Sequence, residues 1–249
     1  MNILVTGAKG MVGTALVHNL KNIRDGKNRT RPNIKIDNIY EYDIENTAEQ
    51  LDAYCAACDF VFNLAGVNRP QNQEEFMQGN FGFASTLLET LKKYGNKCPV
   101  MISSSIQATC IGRYDSDYGR SKKAGEELVF AYGEETGAKV LVYRFPNLFG
   151  KWCRPNYNSA VATFCNNMAN DLPITVNDRA VQLELLYIDD LIDEELGGTF
   201  RYTELDHAEV REFMFERDLG KRIVKFRDYH FVLVGKDGTD VLDMSVDYG

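Results

Sequence analysis

The sequence predicts an α/β protein built on a doubly wound parallel sheet with helices on both faces. Short apolar runs alternate with amphipathic helical segments along the first two thirds of the chain, which is typical of parallel strands that are buried on both sides. The first apolar run also leads through a glycine-rich turn directly into a helical segment. After Gly198 the pattern changes to short strands separated by turns. We therefore predict one large domain followed by a β-rich tail.

The individual elements follow from their periodicity. In the first helix the apolar residues lie at positions 12, 16, 17 and 20, on one face. Residues 23–33 are polar and turn-rich, which predicts a loop. The predicted strands are 3–5, 36–42, 59–64, 99–103, 139–143 and 181–187. The predicted helices are 11–20, 48–55, 74–94 and 118–136.

These elements divide the chain into two parts. Residues 1–198 form the predicted large domain. A smaller part at the C-terminal end of this domain is predicted to bind the substrate. Residues 199–249 form the predicted tail, with strand-like segments at 222–226, 230–234 and 240–246. The tail has too few residues for a full second domain.

Composition excludes several classes of protein. The net charge of −8 argues against nucleic-acid binding, which needs a basic face. No apolar run reaches membrane-spanning length, and the N-terminal residues predict a strand rather than a signal peptide. We therefore expect a cytoplasmic protein whose six cysteines are reduced. Cys55 and Cys58 form a single CxxC pair without a partner pair, so we expect helix burial rather than metal binding, and we predict no metal site.

The glycine-rich turn has the features of a dinucleotide site. Gly7, Gly10 and Gly13 follow a strand and open a helix, in the spacing G-x-x-G-x-x-G. Gly7 permits a tight turn, Gly10 lets the backbone approach a pyrophosphate, and Gly13 allows close packing of helix on strand. The free amides at the start of the helix then face the negative charge.

A tyrosine and a lysine one helical turn apart are the candidates for proton transfer. A carbonyl that accepts a hydride needs a proton, and Tyr118 can deliver it. Lys122 lies on the same helix face, and we expect its positive charge to lower the pKa of the phenol.

Several motifs occur together in the order and spacing of one known family. They are TGAKGMVG (6–13), NLAG (63–66), Asn80, SSS (103–105), the Tyr118–Lys122 pair, RFPNLFG (144–150) and YIDD (187–190). In these motifs the chain resembles the extended branch of the short-chain dehydrogenase/reductases, whose members have a Rossmann-type sheet and act mainly on nucleotide sugars. LAGVNRP, SSSIQAT and RFPNLFGKWCRPNYNS are similar to the CapF group of capsular polysaccharide reductases.

The resemblance implies a set of site residues. Ser105, Tyr118 and Lys122 are the predicted catalytic residues. Dehydratases of this family have an Asp-Glu pair directly after the serine, whereas Ile106 and Gln107 follow Ser105 here. The resemblance therefore disfavours loss of water from a sugar and leaves redox chemistry at one carbon. The predicted cofactor-binding residues are Gly7, Lys9, Gly10, Met11, Val12, Asp43, Leu64, Ala65, Gly66, Asn80, Ser103, Tyr118, Lys122 and Phe145. The predicted substrate-binding residues are Asn68, Arg69, Ser104, Ser105, Asn147, Arg154 and Arg179. The CapF group also carries a C-terminal zinc-binding cupin domain, of which the tail is at most a remnant, since it has no histidine cluster.

Two features of the ligands stay open. Asp43, at the end of the second strand, indicates NAD(H), or it belongs to a third strand that contacts adenine. The preceding loop has the cations Arg24, Lys27, Arg29 and Arg31, and with the resemblance these favour NADP(H). The predicted substrate is a UDP-sugar, held with help from Lys151.

The predicted activity is the reduction of a 4-keto-6-deoxy UDP-N-acetylhexosamine in surface polysaccharide synthesis. A UDP-sugar 4-epimerase and a non-catalytic dinucleotide sensor are the alternatives. The resemblance also implies a homodimer formed by the helices 74–94 and 118–136.

Overall fold

A computed structural model describes most of the chain. It covers residues 1–28, 30–67, 76–176, 181, 183–197, 208–212, 230–234 and 240–245. The predicted substrate residues Asn68, Arg69 and Arg179 lie outside the described residues, as do Arg29 and the strand-like segment at 222–226.

Ten strands are present among the described residues. They are β1 (Asn2–Thr6), β2 (Asn38–Tyr42), β3 (Phe60–Asn63), β4 (Val100–Ser105), β5 (Val140–Phe145), β6 (Asn147–Phe149), β7 (Leu185–Tyr187), β8 (Ala208–Glu212), β9 (His230–Val234) and β10 (Asp240–Ser245). Six of them form one sheet in the order β2-β1-β3-β4-β5-β8, and each pair is parallel. Because β2 lies on one side of β1 and β3 on the other, the order reverses at β1. The carboxyl ends of the strands at this reversal are where ligands bind in such sheets.

Helices cover both faces of this sheet. They are α1 (Met11–Arg24), α2 (Ala48–Ala57), α3 (Phe83–Lys93), α4 (Asp117–Thr136), α5 (Ala160–Ala169) and α6 (Ile188–Gly197), and a π-helical segment, Met77–Gly82, leads into α3. One buried cluster joins α1 and α6 to the sheet, through residues such as Leu16 and Leu191. A second cluster joins α2, α3 and α4 to the other face, through Leu51, Leu87 and Val129. The doubly wound fold predicted from the sequence is confirmed.

Two sequence-based predictions, the end of the first helix and the alternative strand for Asp43, are wrong. The first helix continues to Arg24, into the predicted loop, because Ile23 extends its apolar face and is buried. Asp43 follows β2 directly and is separated from β3 by α2, so it does not belong to a third strand.

The predicted tail contains two kinds of strand. β8 pairs with β5 and completes the main sheet, so residues 208–212 extend the sheet beyond Gly198. By contrast, among the described strands β9 and β10 form a separate antiparallel pair. The division of the chain at residue 198 stays a prediction.

Candidate active site

A cavity of about 950 Å³ opens at the carboxyl edge of the main sheet. Its wall extends from the glycine-rich turn, past the end of β4 and the start of α4, to residues 157–160 before α5. Thirteen predicted site residues line it: Gly7, Gly10, Met11, Val12, Leu64, Gly66, Ser103, Ser104, Ser105, Tyr118, Lys122, Phe145 and Asn147. Positions more than 100 residues apart in the chain therefore face one space.

The glycine-rich turn is a close-packed cradle. Gly7 has a φ of +65°, and a Cβ there would lie 2.7 Å from the Ala65 nitrogen. A Cβ on Gly13 would lie 2.1 Å from the Gly7 oxygen, so α1 packs directly on the turn. Gly10 caps α1 without a side-chain hydrogen bond, and the first turn has no acidic residue. The amides at this helix start therefore suit a pyrophosphate, and the cradle fits a dinucleotide.

Asp43 supports the cradle from β2. Its carboxylate accepts a hydrogen bond of 2.7 Å from the Lys9 amide and one of 2.8 Å from the Ile44 amide. The Lys9 amine pairs with Glu45, and both side chains are exposed. Ile44 is 94% exposed, an unusual position for an apolar side chain. Lys9 and Asp43 thus lie beside the cradle at its β2 side, and an exposed apolar residue is adjacent.

The cations that favoured NADP(H) in the preceding loop lie elsewhere. Arg24 ends α1, and Asp37, near the end of the loop, hydrogen-bonds the amino terminus of Met1. The loop therefore runs at the amino edge of the sheet, opposite the cradle. Arg31 pairs with Asp193 of α6 at 3.1 Å. The expectation that these described cations reach the cofactor is wrong, because α1 carries the chain from the carboxyl edge to the amino edge before the loop begins.

Asn80 clamps the loop that follows β3. Its side chain accepts a hydrogen bond of 3.0 Å from the Val67 amide and donates one of 3.1 Å to the Val67 carbonyl. It also donates to the Ser121 hydroxyl on α4 at 3.1 Å. A Cβ on Gly66 would lie 2.7 Å from the Asn80 carboxamide oxygen. Asn80 thus orders the cofactor side of the site without lining the cavity.

Ser105 and Tyr118 meet across the cavity wall. Ser105 ends β4 and is buried. The Ser116 hydroxyl caps α4 by accepting from the Gly119 amide at 3.0 Å, which places Tyr118 in the first turn of this helix. The Ser105 side chain lies beside the Tyr118 phenol. A proton on the phenol therefore lies beside the hydroxyl that would contact a reacting oxygen.

Burial raises the pKa of the Tyr118 phenol to about 12, and the hydrogen bond with Ser105 acts in the opposite direction. The sequence-based expectation of a lowered pKa is therefore wrong for this structure, because desolvation of the phenolate outweighs every favourable contact. The phenol is fully protonated at neutral pH. This is the form that a general acid needs.

Lys122 is a buried cation behind Tyr118. It is 8% exposed, and its amine donates a hydrogen bond of 3.1 Å to the Ser103 carbonyl. The amine lies 5.8 Å from the centre of the Tyr118 ring. Burial lowers the pKa of Lys122 to about 8, while the negative charge of Glu126 raises it. A cavity of about 10 Å³, close to the size of one water molecule, adjoins Lys122 and Asn80.

The predicted substrate residues are only partly brought together. Asn147 lines the cavity, and its amide group donates to the Glu184 carbonyl at 3.2 Å. The Ser104 hydroxyl already donates to Glu126 at 2.5 Å, so its oxygen can contact a ligand only as an acceptor. Arg154 is exposed and outside the cavity wall, and Lys151 pairs with Asp189 at 2.8 Å.

Some residues of the wall were missed by the sequence analysis. Phe76 packs against the Tyr118 ring, with ring centres 5.7 Å apart. Arg113 and Tyr114 lie between β4 and α4 and line the cavity. The sequence could have predicted Arg113 and Tyr114. They lie in the link between a strand that ends at the site and a helix that begins there, and such a link must pass the opening of the cavity.

Comparisons with known proteins agree with this geometry. The family model described as "NAD dependent epimerase/dehydratase family" matches residues 3–194. The chain belongs to this family. The matched residues 3–194 include both the cradle and the Tyr118–Lys122 pair.

Two of the similar proteins share the highest identity among those described here. The chain is 42% identical over 192 residues to UDP-2-acetamido-2,6-beta-L-arabino-hexul-4-ose reductase of Pseudomonas aeruginosa, covering 77% of this chain and 48% of the relative. The crystal structure of the capsular polysaccharide assembling protein CapF from Staphylococcus aureus superposes with a TM-score of 0.65 at 38% identity. That match covers 84% of this chain and 52% of CapF. The chain thus spans about half the length of these relatives.

A more distant solved structure shows the same fold. UDP-glucuronic acid 4-epimerase from Bacillus cereus, solved with UDP-glucuronic acid and NAD, has a TM-score of 0.66 at 23% identity, over 85% of this chain and 77% of the epimerase.

In the part of the chain that is described, no helix is long and apolar enough to cross a membrane. No group of three or more His, Cys, Asp or Glu side chains among these residues is arranged to hold a metal ion.

Proposed function

We propose that this chain is an NADPH-dependent reductase of a 4-keto-6-deoxy UDP-N-acetylhexosamine, in the synthesis of a capsular or surface polysaccharide sugar. The observation that carries this proposal is the meeting of Ser105, Tyr118 and Lys122 in the cavity that begins at the dinucleotide cradle. The name of the 42% identical relative, a hexulose reductase, supports the substrate class. When bound, the reduced nicotinamide supplies the hydride.

Protonation of the new hydroxyl is the work of the protein. Tyr118 keeps its proton at neutral pH, since its pKa is about 12. The phenol can give this proton to an oxygen on which negative charge develops, while Ser105 bonds the same oxygen. The Lys122 cation lies behind the phenol and stabilises the phenolate that is left. A raised pKa favours this reductive direction, because oxidation would need Tyr118 as a base.

The residues next to Ser105 support redox chemistry at a single carbon. Ile106 and Gln107 both line the cavity, and neither is a carboxylic acid. Loss of water from neighbouring sugar carbons needs both an acid and a base. The substrate would therefore already have lost its C6 hydroxyl before it reaches this site.

The substrate end of the cavity is built from polar and aromatic groups. It includes Arg113 and Tyr114 before α4 and the segment 157–160 before α5. We assign the sugar and the uridine diphosphate to this end, because the cradle occupies the other. Asn147 lies in the wall beside the substrate end.

Lys9 is the basis for choosing NADPH. The two cofactors differ by a 2′-phosphate, and Lys9 is a described cation beside the cradle, with its side chain 60% exposed. Its partner Glu45 is 71% exposed, so this ion pair is weak and can be exchanged for a phosphate. Asp43 instead favours the unphosphorylated ribose of NADH. We expect Lys9→Ala to lower kcat/KM for NADPH by about tenfold or more while that for NADH is unchanged, the size of a lost contact to a charged group.

The free cysteines of the core indicate the compartment in which we expect this reaction to take place. The Cys58 and Cys98 sulfurs lie 3.8 Å apart in the core, yet both are free thiols, as is Cys55. Unpaired buried thiols are typical of reducing compartments. We therefore place the reductase in the cytoplasm.

The test is a turnover experiment with the chain as it stands. The protein is incubated with NADPH and a 4-keto-6-deoxy UDP-N-acetylhexosamine, and absorbance loss and product mass are followed. A gain of two hydrogens with equal oxidation of the cofactor supports the reductase. No cofactor oxidation, with a cofactor that is shown to bind, would reject it.

A UDP-sugar 4-epimerase is the second candidate, because UDP-glucuronate 4-epimerases of Arabidopsis thaliana are 26–28% identical over 77–80% of the chain. An epimerase regenerates its cofactor, so it would interconvert UDP-sugars without net consumption of NADPH. A non-catalytic dinucleotide sensor would bind the cofactor without turnover of either substrate class. The same assay separates all three.

A further inference from the structure

A buried glutamate follows Tyr118 and Lys122 on the same face of α4. Glu126 lies four residues after Lys122, which places it one helical turn further along. Its side chain is 3% exposed, although glutamate is almost never fully buried without a partner. It does not line the cavity. Its place in the fold is therefore behind the catalytic pair, between helix and sheet.

Glu126 is fully engaged by two strands. It accepts hydrogen bonds of 2.8 and 2.7 Å from two nitrogens of Arg144 on β5. It also accepts a hydrogen bond of 2.5 Å from the Ser104 hydroxyl on β4. Ser104 and Arg144 are direct neighbours in the sheet. One carboxylate thus ties α4 to adjacent positions of two strands through charge-assisted hydrogen bonds, which are the strong kind.

These bonds lie next to the contacts that catalysis needs. Ser104 stands between Ser103, whose carbonyl holds the Lys122 amine, and Ser105, which bonds Tyr118. Any movement of α4 away from β4 would lengthen both contacts. A shift of about 1 Å at a catalytic group can cost about 100-fold in rate.

We propose that Glu126 is a positioning residue, which holds the helix of Tyr118 and Lys122 against the strand of Ser105 and balances the charge of Lys122. This inference rests on the proposed function, because it assigns a role in the same proton transfer. Glu126 acts through Lys122 and Tyr118 and contacts no ligand.

The charged groups around Lys122 allow a test of the proposal that Glu126 balances its charge. On its own helix Lys122 faces Tyr118 and Glu126, and on β4 its amine donates to the neutral Ser103 carbonyl. Arg144, on β5, is the cation that pairs with Glu126. Since burial lowers the pKa of Lys122 and Glu126 raises it, loss of the carboxylate charge lowers it further. The unbalanced Arg144 cation acts in the same direction.

The first experiment compares Glu126→Gln with Glu126→Asp. Glutamine keeps the size and one acceptor but loses the charge, whereas aspartate keeps the charge. In Glu126→Gln we expect kcat to fall between about tenfold and 100-fold and the alkaline limb of the kcat profile to move about one pH unit lower. In Glu126→Asp the limb should stay within about 0.3 unit of wild type, a shift too small for loss of a neighbouring charge. Equal limbs in wild type and Glu126→Gln would overturn the proposal.

The second experiment does not depend on turnover. Lysine labelled with ¹³C at Cε reports the titration of Lys122, whose signal is identified by its loss in Lys122→Arg. We expect the midpoint to be lowest in Glu126→Gln, intermediate in Glu126→Gln with Arg144→Met, and highest in wild type. The double variant also guards against misfolding, because replacing both members of a buried ion pair by neutral groups is often tolerated.

The outcomes separate the two proposals. If the wild-type protein does not reduce the offered sugar, the proposed function fails, while the Lys122 titration still tests Glu126. If Glu126→Gln has the wild-type Lys122 midpoint, Glu126 does not balance this charge and the proposal is wrong. A Glu126→Gln protein that loses thermal stability but keeps the wild-type midpoint and pH profile also rejects it, since Glu126 is then structural only.

Discussion

Replacement of Tyr118 by phenylalanine removes one hydroxyl and little else. The ring that remains can still pack against Phe76, since this contact involves only the ring faces and edges. The variant loses the contact between the Tyr118 hydroxyl and Ser105. A hydrogen bond there is worth about 1 kcal/mol. We therefore expect the variant to fold and to bind the dinucleotide with wild-type affinity.

The catalytic loss should be much larger. General acid catalysis contributes about 10²–10⁴-fold, which corresponds to about 3–5 kcal/mol of the barrier. Because the pKa of Tyr118 is about 12, the whole population carries the proton at pH 7. We expect kcat at pH 7 to fall by about 10²–10⁴.

Tyr132→Phe is the matched control. Tyr132 also lies on α4, burial likewise raises its pKa to about 12, and its hydroxyl donates to the Asn96 carbonyl at 3.2 Å. It does not line the cavity. Both variants should show similar losses of thermal stability, measured by calorimetry, but only Tyr118→Phe should lose turnover. Activity of Tyr118→Phe within about fivefold of wild type, below the smallest effect of a general acid, would refute its role.

Three further predictions concern charge, packing and assembly. Because the pKa of Lys122 is about 8 when folded and about 10.4 when unfolded, the unfolded chain binds the extra proton between these values. The free energy of unfolding of the wild type, measured by urea titration and compared with that of Lys122→Met, should then rise by up to about 3 kcal/mol between pH 8 and pH 10.4. A difference that does not change with pH would contradict the lowered pKa of Lys122. Gly13→Ala should weaken dinucleotide binding by at least about tenfold, since its Cβ meets the Gly7 oxygen at 2.1 Å, whereas Gly82→Ala, with no atom closer than 3.8 Å, should bind normally in calorimetric titrations. We also expect a homodimer through α3 and α4, and a light-scattering mass near 28.2 kDa at all concentrations would count against it.

Local patterns in the chain were sufficient for the fold and for part of the site. The cradle lies within seven consecutive residues, so its strand, glycine turn and helix can be recognised without knowledge of distant contacts. The same holds for Tyr118 and Lys122, which are one helical turn apart wherever the helix lies. Alternating apolar strands and amphipathic helices likewise predict the sheet, because burial on both faces leaves a direct record in composition.

Other properties depended on which groups meet in three dimensions. The direction of the Tyr118 pKa is set by burial, which the spacing to Lys122 does not reveal. Arg24 and Arg31 lie at the amino edge of the sheet because α1 spans it, so closeness to the cradle in sequence was misleading. The role assigned to Glu126 depends on Arg144, 18 residues away, and on strand register. Sequence periodicity records local geometry, whereas electric fields and long-range contacts arise only when the chain is folded.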